Sequence, residues 1–227
     1  MNGCLYVVAT PIGNLSDLTY RAESVLKEVD LIAAEDTRTS RKLLNHYNIS
    51  TPLIPYHDKN EIFQAKKLLA KLDDGDSIAI ISDAGTPCIS DPGYRLVNLA
   101  KIEKFDVISI PGPSSVTSAL SISGLPTDHF YFEGFLPPKK GRKTRFESLE
   151  LLPATIVIFE SPHRILKTLK DIYSYWGDRT VSVCREITKL YEESFLGTVQ
   201  EAHDYFSKTK PKGEFVVLIA KKGYVLS

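Results

Sequence analysis

Four short apolar runs, at 5–8, 31–34, 77–81 and 107–110, punctuate the first half of the chain and fix what it can fold into. They lack the strict apolar–polar alternation of a half-exposed strand, so they read as strands buried on both faces, as in a parallel sheet. Between the first two, Leu18, Ala22, Val25 and Val29 recur at spacings of four, three and four. Ile62, Ala65, Leu69 and Leu72 follow at three, four and three. Both are the stripe of an amphipathic helix. Strand and helix in alternation predict an α/β fold with a doubly wound, parallel sheet. Segment 52–56, carrying Pro52 and Pro55, is predicted as an edge strand, because proline cannot donate to a central ladder.

At 227 residues the chain is long for one domain. A break falls at Gly124-Leu125-Pro126-Thr127-Asp128, after which strands are predicted at 130–135, 155–159, 181–185 and 215–220. Helices are predicted at 143–152 and 162–175. The expectation is two α/β domains, 1–125 and 126–227, with a ligand cleft between them.

Charge narrows the function classes. Lys and Arg total 28 and Asp and Glu total 28, so no overall basic field draws in nucleic acid, and any RNA contact must come from a local patch. Cys4, Cys88 and Cys184 are far apart, and the five histidines show no ligand spacing, so no metal site is expected. Sparse cysteine suits a reducing compartment. The start has no basic n-region with an apolar core, and no apolar run approaches the roughly 20 residues of a membrane span. A cytoplasmic protein without signal peptide or membrane segment is expected.

Chemistry-bearing residues cluster after the predicted strands. Ser82 to Gly93 is a twelve-residue segment dense in Gly, Pro, Asp and Ser, longer than the roughly 2–6 residues an α/β connection needs. Gly85 lets backbone approach a ligand, and Pro87 and Pro92 stiffen the path between Asp83 and Asp91. The loop after the first strand, Ala9 to Asp17, lacks a G-x-G-x-x-G fingerprint. Glu35 and Asp36 end the second strand where a dinucleotide fold places its ribose acid, which opens a nicotinamide-enzyme reading. Without the glycines, however, no helix N-terminus comes close to a pyrophosphate. Pro111-Gly112-Pro113-Ser114-Ser115, Phe159 to Arg164 and Arg185 to Lys189 follow further strands. Lys139, Lys140, Arg142, Lys143 and Arg145 place five cations in seven residues, a candidate phosphate-contacting patch to which Arg38, Arg41 and Lys42 can add.

Taken in order along nearly the whole chain, these motifs resemble the tetrapyrrole-methylase superfamily of S-adenosylmethionine-dependent methyltransferases. The carrying residues are Ala9 to Asn14, Glu35-Asp36-Thr37-Arg38, Ser82 to Gly93, Pro111 to Ser115 and Ser123 to Thr127. They continue with Phe132 to Pro137, Glu160 to Arg164, Arg185-Glu186, Thr188-Lys189 and Gly213-Glu214-Phe215. Within the superfamily the chain is most similar to the branch acting on small-subunit ribosomal RNA. The resemblance implies two αβα domains in a homodimer, with the cofactor in the cleft between domains. It implies that Ile12, Gly85, Thr86, Pro87, Ile89, Ser114, Ser115, Phe159 and Glu160 hold S-adenosylmethionine. The implied reaction moves a methyl to the ribose 2′-oxygen of a cytidine in the decoding region of 16S rRNA, with that RNA or the small ribosomal subunit as partner. Many members continue past the Gly-Glu-Phe strand into a segment that helps hold RNA, and this sequence carries only a few residues there.

A ribose hydroxyl is a poor nucleophile at neutral pH, so a general base or an alkoxide-stabilising cation is expected. Candidates are Asp36, Asp83, Glu160, His163 and Lys189, with Asp36 or Lys189 assigned to deprotonation and Arg38 and Arg164 to phosphates. A corrin or porphyrin methyltransferase and a non-catalytic RNA-binding module are the competing classes.

Overall fold

The apolar runs of the first half become β1 (Cys4–Val8), β2 (Leu31–Ala34), β4 (Ile78–Ile81) and β5 (Asp106–Ile110), joined by β3 (Leu53–Pro55). All pair in parallel in the order β3-β2-β4-β1-β5, which puts the proline-bearing β3 at an edge. The computed structural model describes residues 3–226.

Alternate residues of these strands feed two cores. Val8, Ile32, Ala34, Ala79 and Ile81 pack with Leu26 of α1 (Tyr20–Glu28) and Leu43 and Leu44 of α2 (Thr37–His46). Leu5, Leu31, Ala33, Ile78 and Ile80 pack with Leu68 and Leu72 of α3 (Glu61–Asp73) and Leu96 of α4 (Tyr94–Ile102). Burial on both faces is why the runs of β2 and β4 do not alternate with polar residues, whereas β5, expected to be buried, lies at the other edge with only Ile110 buried.

The second half forms its own sheet from β6 (Phe130–Phe135), β7 (Thr155–Glu160), β8 (Thr180–Arg185), β9 (Glu193–Thr198) and β10 (Phe215–Ile219), in the order β6-β7-β10-β8-β9. Only β6 and β7 run parallel, so this sheet is mixed. Side chains of α6 (Arg142–Leu149), α7 (Ile165–Trp176) and α8 (Val199–Ser207) bury Ile156, Ile158, Val183 and Val217. Helix α8 opens on a capping box between Thr198 and Glu201.

Helix α5 (Ser115–Ile122) packs on β10, so the chain divides into two compact units between Ser114 and Ser115. The sequence break at Gly124 to Asp128 marks the loop after α5, not the change of packing partner. Among the described residues no helix is long and apolar enough to cross a membrane.

Candidate functional site

In a parallel sheet every strand ends on the same edge, and the loops there are the natural ligand contacts. In the first unit three of them are stitched together. Thr10 N–H donates to the Gly85 carbonyl at 2.9 Å and Gly85 N–H returns the bond at 3.0 Å. The Thr10 hydroxyl donates to the Ser82 carbonyl at 3.2 Å, and the Thr86 hydroxyl to the Pro113 carbonyl at 3.3 Å. Gly85 sits at φ +82, and a Cβ there would stand 3.3 Å from Ile12 Cγ2. Ile12, Gly85, Thr86 and the loop ending at Ser114 are therefore brought together as expected from sequence. Gly85→Ala is expected to cost about 1–2 kcal/mol for the left-handed backbone, read as lost thermal stability.

The rest of the 82–93 loop is an arch. Cys88 (φ 71) and Ser90 (φ 64) take left-handed backbone, which concentrates at functional sites. Gly93, at φ +136, leaves room for the Cys88 thiol, which a Cβ would approach to 2.6 Å. Pro87 is buried and Ile89 is presented to solvent.

Beside the arch lies an acidic edge. Asp83 Oδ1 accepts from Asp36 N–H at 3.0 Å, and Asp83 N–H donates to Glu35 Oε2 at 3.4 Å. Burial pushes the carboxyls of Glu35 and Asp83 up from their ordinary range. Asp91 is pushed up to about 6, first by burial and then by the charge of Glu35, against a hydrogen bond from Ser82. Its folded pKa lies above the ordinary 3.8, so the stability it contributes is complete below about 3.8 and lost as pH rises through about 6. Asp91→Asn is thus expected to raise the melting temperature at pH 8 by about 2–4 °C, the effect of ~1 kcal/mol in a chain of this size. At pH 3.5 it should change little.

Asp36 is a different kind of carboxylate. It caps α2, accepting Arg38 N–H at 2.8 Å, and its Oδ2 takes Arg38 Nη2 at 2.6 Å. Those bonds pull its pKa down to about 2. A carboxylate so acidic accepts a proton poorly, which argues against its assignment as the base. Lys189 fares no better. Its Nζ lies 2.8 Å from both Glu186 Oε1 and Glu214 Oε2. Burial lowers its pKa, yet these bonds outweigh burial and raise it, so the side chain stays a cation.

Glu160 and two arginines of the cationic run are engaged within the protein. Glu160 is 2% exposed and accepts from Ser161 N–H at 2.8 Å and the Thr168 hydroxyl at 2.6 Å. Arg164 clamps both of its oxygens at 3.0 Å. Arg142, 7% exposed, donates to Asp171 at 2.7 Å, the Thr168 hydroxyl at 2.8 Å and the Pro137 carbonyl at 3.1 Å. It is an internal strut, out of reach of a phosphate. Arg145 is spent on Glu133 and the Tyr131 hydroxyl, and Lys143 lies 3.7 Å from Glu147. Lys139 and Lys140 stay exposed. Phe159 packs edge-on against Phe132 at 5.0 Å and Phe135 at 5.6 Å. Ser115 opens α5.

The three-layer arrangement with strand-end loops is shared with solved methyltransferases. The crystal structure of uroporphyrin-III-C-methyltransferase from Thermus thermophilus superposes with a TM-score of 0.67 at 20% identity, over 96% of this chain and 94% of that one. The chain belongs to the tetrapyrrole (corrin/porphyrin) methylase family, whose description matches residues 4–203. At closer range it is similar to two proteins named ribosomal RNA small subunit methyltransferase I. The one from Thermotoga maritima is 50% identical over 97% of this chain and 99% of that protein. The one from Synechocystis sp. is 51% identical over 96% of this chain and 79% of that protein.

Proposed function

We propose that this chain transfers a methyl group from S-adenosylmethionine to the ribose 2′-oxygen of a cytidine in the decoding region of small-subunit ribosomal RNA. The carrying observation is the stitched loop cradle of Thr10, Ile12, Gly85, Thr86 and Pro113, with an acidic edge beside it. The cradle fits this cofactor. It offers backbone groups and apolar side chains, and Gly85 lies close on Ile12, where a Cβ would stand 3.3 Å from Cγ2. The carboxylates of Glu35 and Asp83 suit a positively charged donor. Once bound, that donor supplies an already activated sulfonium methyl.

The protein's own contribution is alignment and deprotonation. Holding the hydroxyl in line with the methyl supplies much of the acceleration. Asp83 fits the general base. Its Oδ1 is held by Asp36 N–H, while its Oδ2 takes no hydrogen bond among the described residues, and the side chain faces solvent. Its raised pKa brings it nearer the operating pH, where a base is most effective. Relatives of about half identity that bear a ribosomal RNA name favour this substrate over a tetrapyrrole, since the solved tetrapyrrole enzyme is similar in fold alone. The reading carries with it a homodimer acting in the cytoplasm.

The test is methyl transfer from labelled S-adenosylmethionine, with naked small-subunit rRNA and unmodified small subunits side by side. Label on a cytidine 2′-oxygen is the expected result. No label on either RNA substrate, with label on a porphyrin or corrin offered in a parallel reaction, overturns it.

A further inference from the structure

We propose that the solvent face of α2 is a binding surface for the phosphodiester backbone of the substrate RNA, an inference that rests on the RNA reading above. The cationic run at 139–145 spends Arg142 and Arg145 on internal contacts and of its cations keeps only the three lysines exposed, which turns attention to cations elsewhere. Helix α2 buries Ser40, Leu43 and Leu44 and turns Arg38, Arg41, Lys42 and Asn45 outward. Spacings of three and four set these four on one stripe, and a rise of 1.5 Å per residue puts Arg38 and Lys42 about 6 Å apart along the axis.

Together with Thr37 they line an open depression of about 370 Å³. No acidic residue occurs between Thr37 and His46. Arg41 and Lys42 form no ion pair among the described residues, and the Arg38 side chain is 89% exposed although Asp36 takes its Nε and Nη2. The depression thus combines Arg41 and Lys42, and an Arg38 whose charge Asp36 partly offsets, with the neutral donors of Thr37 and Asn45. Such a set matches phosphate oxygens. It lacks the apolar and aromatic anchors found at the centre of protein interfaces, which favours nucleic acid over a protein segment.

The position also serves the chemistry. Asp36, the cap of α2, hydrogen-bonds Asp83 through its backbone, so a strand held along α2 arrives beside the proposed base.

The experiment measures binding of a small-subunit rRNA transcript against potassium chloride concentration, for the wild type and for Arg41→Ala/Lys42→Ala. Losing two phosphate contacts should lower the slope of log K against log salt by about 1.4–1.8. S-adenosylmethionine affinity and melting temperature should not move, and Arg41→Lys/Lys42→Arg should restore the slope. An unchanged slope in the double variant, with wild-type transfer to rRNA intact, overturns this inference and leaves the function standing. Loss of binding to a poly-glutamate peptide, with the RNA slope unchanged, overturns it in favour of an acidic protein segment. A wild type that neither binds nor methylates rRNA removes the function and this surface together.

Discussion

Asp83→Asn is expected to lower the single-turnover rate of methyl transfer by about 10²–10⁴-fold, the range a positioned general base supplies. The substitution is isosteric, and the Asn carbonyl oxygen still accepts the Asp36 N–H that orients Asp83 at 3.0 Å. Thermal stability should therefore stay near wild type. The pH profile supplies a second readout. Burial raises the Asp83 pKa, so the wild-type rate should climb through an acid limb above the ordinary aspartate range. In the variant that limb should vanish. Asp36→Asn is the comparison. Asn caps helices as well as Asp does, and the pair it loses involves a highly exposed arginine, so the rate should change only a few-fold. If Asp36→Asn abolishes transfer while Asp83→Asn retains it, the roles are reversed.

How much of this was legible depended on burial. Residues 31–34 and 77–81 read as strands because both faces of the first sheet are covered, which makes the apolar signal continuous. Helix α2 was not foreseen, since its buried face is only Ser40, Leu43 and Leu44, too little for a periodic stripe. Strand β9 was missed because it is an edge strand with only Gly197 fully buried. The signal for α8 was present in Thr198 and Glu201, a capping pair ahead of Ala202 and Phe206. The direction of β8 and β10 could not be read, because a strand buried on both faces looks the same in either sheet type.

Charge misled for a related reason. The run at 139–145 reads as solvated, but the partner that buries Arg142 is Asp171, 29 residues away and visible only once α6 and α7 pack. The strand-end loops were located correctly from Gly, Pro and Ser content. What separates Asp36 from Asp83 is hydrogen bonding, since one carboxylate is consumed by Arg38 and the other keeps a free oxygen.

The largest stability effect is expected at Glu160. Its carboxylate accepts from Ser161 N–H, Thr168 and Arg164, and through Thr168 it reaches Arg142 and Asp171. The set ties the end of β7 to α7 and to the first turn of α6. Glu160→Ala strips the buried Thr168 of its acceptor and leaves Arg164 only the Leu136 carbonyl, a change that costs about 3–5 kcal/mol where one partner of a buried pair is removed. For a chain of this length that is roughly 6–20 °C of melting temperature. Removing both charges should hurt less. Glu160→Met/Arg164→Leu fills the space with apolar atoms and leaves no unpaired ion, so its melting temperature should lie above that of the single variant. Thermal denaturation of the two variants side by side distinguishes the explanations. A single variant as stable as wild type would mean the network does not hold β7 to α7. A double variant that regains stability yet loses S-adenosylmethionine affinity would show that Glu160 also serves the cofactor, whereas intact affinity leaves it a structural strut.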